Sequence, residues 1–238
     1  MSVCAPFLCS AMFGQSTAQI HGSVVEDNGQ PIPGAIVALH RAPRFAVANP
    51  GPSGGKQANR VPGDPDVDVS TTSGSGGIFS FVNLPPGLYV LCATVQQGTY
   101  LPTCDWSRTI TFDLMAGESR GNQLIRMARG ANLNIHLNDP TSALSPADTL
   151  ASSRIVVGVG TPAGAFYSAP ISAKQGNGRD HTMAVPFDTP LFVWCSSRNL
   201  QVTDESGHPI SKLGSATYFT IPSSALGKTF TFNIVGNR

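Results

Sequence analysis

The sequence predicts an all-β protein built from two Greek-key β-sandwiches. Glycine (25) and proline (19) are plentiful among its 238 residues, as is typical of chains with many turns. Charged residues make up only 12% of the chain, against about 25% in an average soluble domain. Apolar and polar side chains alternate over short runs that are separated by turn residues, which is the pattern of half-buried strands. A chain of this length can bury two cores of ordinary size.

The clearest element is a predicted hairpin in the first half of the chain. Phe79 and Phe81 alternate on its first strand. Tyr89 and Leu91 alternate on its second strand, so the hairpin has one face to bury. An Asn-Leu-Pro-Pro-Gly turn joins the strands, and Gly87 is expected to adopt the positive φ that ends it.

Further strands of the first half follow the same alternation. They are predicted at 19–25, 35–41, 67–72, 109–114 and 123–129. Residues 43–66 break the pattern with prolines and glycines, which predicts a long surface insertion.

Two motifs of this half occur in a recognisable order. GQPIPGAIV (29–37) precedes GIFSFVNLPPGLY (77–89). Together they resemble the carboxypeptidase regulatory-like domain, a transthyretin-like β-sandwich, over residues 19–127. The resemblance implies the fold of a first domain, 19–129, and no activity. Collagen-adhesin B-type repeats share this fold, and some of them cross-link a lysine to an asparagine. The predicted first strand has no lysine, so no such bond is expected here.

The start of the chain predicts export. A short apolar run at 3–13 is followed by Ser16-Thr17-Ala18, whose small residues fit a signal-peptidase site after residue 18. The run is shorter than the about 20 residues that a membrane span needs. It lacks the usual basic residues, so residues 1–18 are interpreted as a weak or truncated signal peptide, with a disordered cytoplasmic tail as the alternative. Export places the protein outside the cell or in the cell envelope.

The cysteines fit this interpretation. Cys92 and Cys104 flank a loop that a disulfide could close, at a stabilisation of about 3 kcal/mol in the chain-entropy model. The surrounding pattern also resembles an exported bacterial variant of the regulatory-like domain, in which these cysteines pair. Cys195 lies in an apolar strand and is expected to be a buried, inert thiol.

The second half, 130–238, is predicted as another β-sandwich from its pattern alone. Strands are expected at 132–137, 154–159, 166–171, 181–187, 191–196, 200–203, 217–221 and 229–235. Ser145 and Pro146 could begin a single helical turn. No linker separates the halves at Arg129-Gly130, so we expect them to pack side by side.

Sequence motifs that match catalytic patterns lack the secondary structure that those motifs require. Gly51-Pro52-Ser53-Gly54-Gly55 matches a nucleophile-elbow pattern but lies in the Pro/Gly-rich insertion. The histidines at 21, 40, 136, 181 and 208 are scattered singly. Those at 21, 40, 136 and 181 lie in predicted strands and are expected to be sheet-surface or half-buried side chains, whereas His208 lies in a predicted turn. A net charge of +1 does not indicate the basic surface that nucleic-acid binding needs. We therefore expect no enzyme activity and no cofactor.

One weak candidate for a metal site remains. Asp64, Asp66 and Asp68 alternate, so an extended chain would place them on one face, where carboxylates could bind a hard cation. The calcium-loop signature is absent, and edge-strand charges also serve to block unwanted pairing. The sequence therefore predicts edge protection and no metal.

Two classes of function follow. The first is a non-catalytic exported protein with a structural, adhesive or binding role, whose partner is an extracellular protein or glycan. The second is a carbohydrate-binding or enzyme-accessory module, in which Tyr100 and Trp106 would stack on sugar rings beside the disulfide. Alternatively, Trp106 covers the disulfide and closes one end of the core. An exposed, coplanar pair would favour sugar binding, whereas a buried Trp106 would favour a scaffold.

Overall fold

The computed structural model describes residues 17–41, 68–95, 99–107, 110–144, 155–197, 200–210 and 217–237. Strands of the first half are β1 (Ala18–Glu26), β2 (Ile36–Arg41), β3 (Asp68–Thr72), β4 (Ile78–Leu84), β5 (Gly87–Thr94), β6 (Ile110–Leu114) and β7 (Ser119–Met127). Strands of the second half are β8 (Ala131–Asn138), β9 (Ile155–Gly160), β10 (Phe166–Ser168), β11 (Ile171–Gln175), β12 (Gly178–Val185), β13 (Phe192–Ser197), β14 (Leu200–Thr203) and β15 (Gly227–Asn237). Helical structure within the described ranges is limited to a 3-10 turn, Ser75–Gly77, and the short helix α1, Thr103–Trp106. The predicted all-β class is confirmed.

The first half consists of two sheets that enclose one core. Their strand orders are β4-β1-β7 and β3-β2-β5-β6. Strand β1 pairs antiparallel with β4 and parallel with β7. The alternating residues of the predicted hairpin, Phe79, Phe81, Tyr89 and Leu91, are buried between the sheets. Burial of such apolar side chains stabilises the fold by about 1.5–3 kcal/mol for each.

The turn of this hairpin differs from the prediction in one respect. Positive φ is adopted by Asn83 (58°), and Gly87 is not among the residues with positive φ. Arg41 lies over Gly87: a Cβ there would lie 2.4 Å from Arg41 Nε, so a larger residue would require the Arg41 side chain to move. Arg41 Nη2 donates a hydrogen bond to Pro86 O at 2.6 Å. The glycine therefore provides space for a side chain and not a backbone conformation.

The second half also consists of two sheets around one core. Their strand orders are β10-β9-β13 and β11-β12-β8-β15-β14. Strand β8 lies between β12, which is antiparallel to it, and β15, which is parallel. Its inward residues Leu133, Ile135 and Leu137 are fully buried.

The chain passes from one core to the other within three residues, 128–130. Gly130 is tightly packed in this segment. A Cβ there would lie 2.4 Å from Leu101 Cδ2 and 2.6 Å from Val185 O. Gly130 N also donates a hydrogen bond to Thr99 O at 2.5 Å. A glycine is therefore needed for the direct crossing from β7 to β8.

Two predicted strands of the second half are wrong. The strand expected at 166–171 is split into β10 and β11, because it is interrupted at Pro170, whose nitrogen cannot donate a ladder hydrogen bond. The strand expected at 217–221 is reduced to an isolated bridge between Leu191 and Phe219.

Other predictions fall outside the described residues. These are the signal sequence up to residue 16, the insertion at 43–66 and the helical turn at 145–148. The residue at which the signal peptide was expected to end, Ala18, is the first residue of β1 and is buried.

Candidate functional site

The predicted disulfide lies at the junction of the two halves. Cys92 in β5 is bonded to Cys104 in α1, with their Cα atoms 5.3 Å apart. The same helix is held at its first residue, because Ala93 N donates a hydrogen bond to Thr103 Oγ1 at 2.8 Å. We call α1 the tethered turn, since both contacts bind it to the end of β5.

Trp106 is the last residue of the tethered turn and extends to the second half. Its ring lies 4.0 Å, centroid to centroid, from that of Tyr167 in β10, at an interplanar angle of 35°. It is half-buried and packs against the second core. The Cys92–Cys104 bond therefore holds in place the turn that carries this ring from the first half to the core of the second.

Tyr100 takes part in a second contact, which we call the clamp. Its hydroxyl donates a hydrogen bond to Glu26 Oε1. Arg129 Nη2 donates to the same carboxylate at 2.7 Å, and the Arg129 guanidinium lies 5.4 Å above the Tyr100 ring. The hydrogen bonds from Arg129 and Tyr100 lower the pKa of Glu26 below its usual value. The clamp therefore joins the end of β1, the loop before α1 and the crossing segment.

These contacts bear on the predicted sugar-binding pair. Tyr100 packs against the first core and Trp106 against the second, so the two rings serve different cores. Arg129 covers a face of Tyr100, and Tyr167 covers a face of Trp106. This arrangement favours the scaffold interpretation of both residues, and a role for them in sugar binding stays a prediction.

The acidic candidates are only partly described. Asp64 and Asp66 lie outside the described residues. Asp68 is the first residue of β3, and its Oδ1 lies 2.7 Å from Nδ1 of His40 in the neighbouring strand. Within the part of the chain that the structure describes, no group of three or more His, Cys, Asp or Glu side chains could hold a metal ion.

Histidines pair with aspartates at two further places. His136 Nδ1 lies 2.8 Å from Asp180 Oδ1 on adjacent strands, and His208 Nδ1 lies 3.3 Å from Asp204 Oδ2 within one turn. His181 is different, because it is only 3% exposed and was expected at a surface or half-buried position. Its Nδ1 donates to Ala169 O at 2.9 Å, while its Nε2 is buried and meets no hydrogen-bond partner among the described residues. Burial lowers the pKa of His181.

The sequence interpretation missed a group of four aromatic rings, which we call the aromatic cluster. Phe166 lies 6.1 Å from Phe192 and 5.6 Å from Trp194, and Phe192 lies 5.5 Å from Tyr218, all as edge-to-face pairs. Trp194 is fixed further, because its Nε1 donates to Val159 O at 2.9 Å. Phe166 and Tyr218 are 48% and 54% exposed. The cluster is therefore ordered and still open to a partner.

Glycines in β9 place these rings on the outer face of the sheet. Gly160 pairs with Phe166 on one side and with Phe192 on the other. A Cβ at Gly160 would lie 2.2 Å from the Phe192 ring, so the ring occupies the space over the glycine. The alternation of Phe192 and Trp194 with inward Val193 and Cys195 was the sequence signal that could have revealed this face.

Comparison with known proteins gives limited results. The sequence matches no protein-family model and no curated protein. Among solved structures, the chain is similar to the TIE protein of Bacillus anthracis, with 14% identity, a TM-score of 0.32 and coverage of 93% of this chain and 34% of that one. It is also similar to a streptococcal ancillary pilin, with 13% identity, a TM-score of 0.39 and coverage of 92% and 62%. The minor pilin of Streptococcus agalactiae gives 12% identity, a TM-score of 0.32 and coverage of 93% and 98%.

These similarities do not assign the chain to a family. The chain spans about a third of the TIE protein and about three fifths of the ancillary pilin. Because the identities are below 25% and the TM-scores are below 0.5, nothing about activity or partners is transferred from these structures. In the described ranges, every helix is too short to cross a bilayer.

Proposed function

We propose that this chain is an exported, non-catalytic structural or adhesive protein of the cell envelope or extracellular space. It comprises a signal peptide (1–18), a regulatory-like β-sandwich (19–129) and a second β-sandwich (130–238). The observation that carries the proposal is the junction, where Trp106 from one half packs against the core of the other. On the first half's side of this contact, the disulfide holds the turn that carries Trp106 and the clamp holds the crossing segment. Such bracing suits a protein that presents surfaces at a fixed geometry.

The state of the ionisable groups supports a non-catalytic role. Glu26 is bound by Tyr100 and Arg129, and His136 by Asp180, all within the sheets or at the junction. His181 has a depressed pKa, but its Nδ1 is engaged with the backbone and its Nε2 faces the protein interior. A general base needs a proton of a substrate within hydrogen-bond reach, which such a buried nitrogen does not offer.

The aromatic cluster is the surface that supports an adhesive role best. Its exposed rings, Phe166 and Tyr218, are held by edge-to-face contacts, so little side-chain entropy is lost when a partner binds. Aromatic residues are enriched where proteins bind other proteins, and their faces also stack on sugar rings. The partner in this proposal is an extracellular protein, and a glycan is the second candidate because of this cluster.

Binding of the full-length protein to panels of glycans and extracellular matrix proteins tests the proposal. The variant Phe166→Ala/Tyr218→Ala removes both exposed rings. The variant Ile78→Ser/Val82→Ser removes exposed apolar side chains of β4 in the other half and serves as the matched control. We expect binding that the first variant loses and the control keeps. Binding that only the control loses would contradict the role of the cluster, and a substrate turned over by the protein would contradict its non-catalytic nature.

A further inference from the structure

We propose that the Cys92–Cys104 disulfide is a site of thiol–disulfide exchange with a dithiol, and that its reduction releases Trp106 from Tyr167. The first observation is an asymmetry of exposure. Cys104 is exposed on the tethered turn, whereas Cys92 is buried, with only 8% of its surface exposed. Exchange requires a thiolate to reach one sulfur of the bond, and access decides which sulfur is attacked. Solvent access therefore directs attack to Cys104.

The exchange proceeds in two balanced steps. A thiolate of the dithiol attacks Cys104 Sγ, the bond to Cys92 breaks, and Cys92 leaves as a thiolate that takes up a proton. The second thiolate of the dithiol then attacks the dithiol's first sulfur, which is bonded to Cys104 in the mixed disulfide. Cys104 leaves as a thiolate and takes up a proton. Two electrons pass from the dithiol to the protein, and the dithiol becomes a disulfide. No other reactant is needed.

The second observation is that the tethered turn depends on its attachments. It has four residues, and a helix of this length is not stable in isolation. Its links to β5 are the disulfide and the hydrogen bond from Ala93 N to Thr103 Oγ1. Opening the disulfide removes the covalent link at the second residue of the turn and leaves the hydrogen bond at its first residue.

The third observation is that the contact of Trp106 with Tyr167 includes an unsatisfied group. Trp106 Nε1 is buried and meets no acceptor among the described residues. An unsatisfied buried donor is unfavourable, and water would satisfy it once the ring moved out. The covalent link, two residues away, therefore opposes this release in the oxidised state. The inference uses the same Trp106 contact as the proposed function, but its test measures the emission of Trp106 and not binding, so the failure of one is distinguishable from the failure of the other.

Fluorescence of Trp106 in the full-length protein tests the inference. Trp194→Phe leaves Trp106 as the single tryptophan. Dithiothreitol is the dithiol probe, and alkylation followed by mass spectrometry counts the opened cysteines. We expect native reduction to open Cys92 and Cys104, to shift the Trp106 emission to longer wavelength and to increase its quenching by acrylamide. The far-UV circular dichroism should stay unchanged.

Three control variants are made in the Trp194→Phe protein. Cys195→Ser should respond to dithiothreitol as its parent does, because Cys195 lies in the second core. Cys92→Ser/Cys104→Ser should show the emission of the reduced state without dithiothreitol. Tyr167→Ala should show increased quenching with the disulfide intact. Opened cysteines with unchanged emission would overturn the release of Trp106. A disulfide that opens only when the circular dichroism signal is lost would overturn the exchange site.

Discussion

Replacement of His181 by asparagine should remove most of the acid sensitivity of the second half between neutral pH and pH 5. His181 lies in β12 with its side chain turned inward, and its Nδ1 donates to Ala169 O at 2.9 Å. An asparagine amide can donate to the same carbonyl but carries no charge in this range. The substitution therefore keeps the hydrogen bond and removes the titration.

The sign of the effect follows from burial. Burial lowers the pKa of His181 below its usual value of 6.5, so the unfolded chain binds a proton that the folded chain does not. The contribution to stability is complete above pH 6.5 and falls as the pH is lowered toward the folded pKa. Within that window the slope cannot exceed about 1.4 kcal/mol per pH unit, the value for a difference of one proton between the two states.

Urea unfolding at a series of pH values between 5 and 8 measures the effect. Tryptophan fluorescence reports on the second half, since Trp194 packs on Phe166 and donates to Val159 O, and Trp106 packs against the second core. The variant should be about 1–2 kcal/mol less stable at pH 8 because the smaller side chain leaves a cavity, and its stability should then vary less with pH than that of the parent. Equal pH slopes in the two proteins would refute the account of His181.

Two further predictions concern the junction and the aromatic cluster. Hydrogen bonds lower the pKa of Glu26, so its contribution to the free energy of unfolding is present above its usual pKa of 4.5 and is lost as the pH falls through the folded value. Glu26→Gln should lack this acid-dependent loss of stability in thermal melts. An unchanged dependence of the melting temperature on pH would count against the clamp. Gly160→Ala should destabilise the second half by about 1–3 kcal/mol in urea, because its Cβ would lie 2.2 Å from the Phe192 ring. Gly121→Ala, with no atom within 4 Å of its Cβ, is the matched control, and equal effects of the two changes would refute the packing argument.

Local patterns in the sequence were enough to predict much of the first half. Phe79 and Phe81 are two residues apart in a predicted strand, and their burial on one face follows from the two-residue period of a strand. The function of Gly87 could not be predicted, because it depends on Arg41, which is distant in sequence and lies over the turn only after β2 and β5 have paired.

The candidate site was harder to predict than the strands. The pairing of Cys92 with Cys104 was expected from the loop between them, but the placement of Trp106 against Tyr167 depends on tertiary contacts. The aromatic cluster combines Phe166 and Tyr218 from separate segments with two rings of β13. Only those two rings share a strand, and only their common face could be inferred from spacing.

The central claim is that the junction holds the two halves as one rigid body, and residual dipolar couplings of backbone amides in weakly aligned protein test it most directly. If the contact of Trp106 with Tyr167, the clamp and the disulfide act together, the couplings from both halves fit a single alignment tensor. Couplings that require two tensors of different magnitude in the oxidised protein would show that the halves move independently, and would contradict the claim.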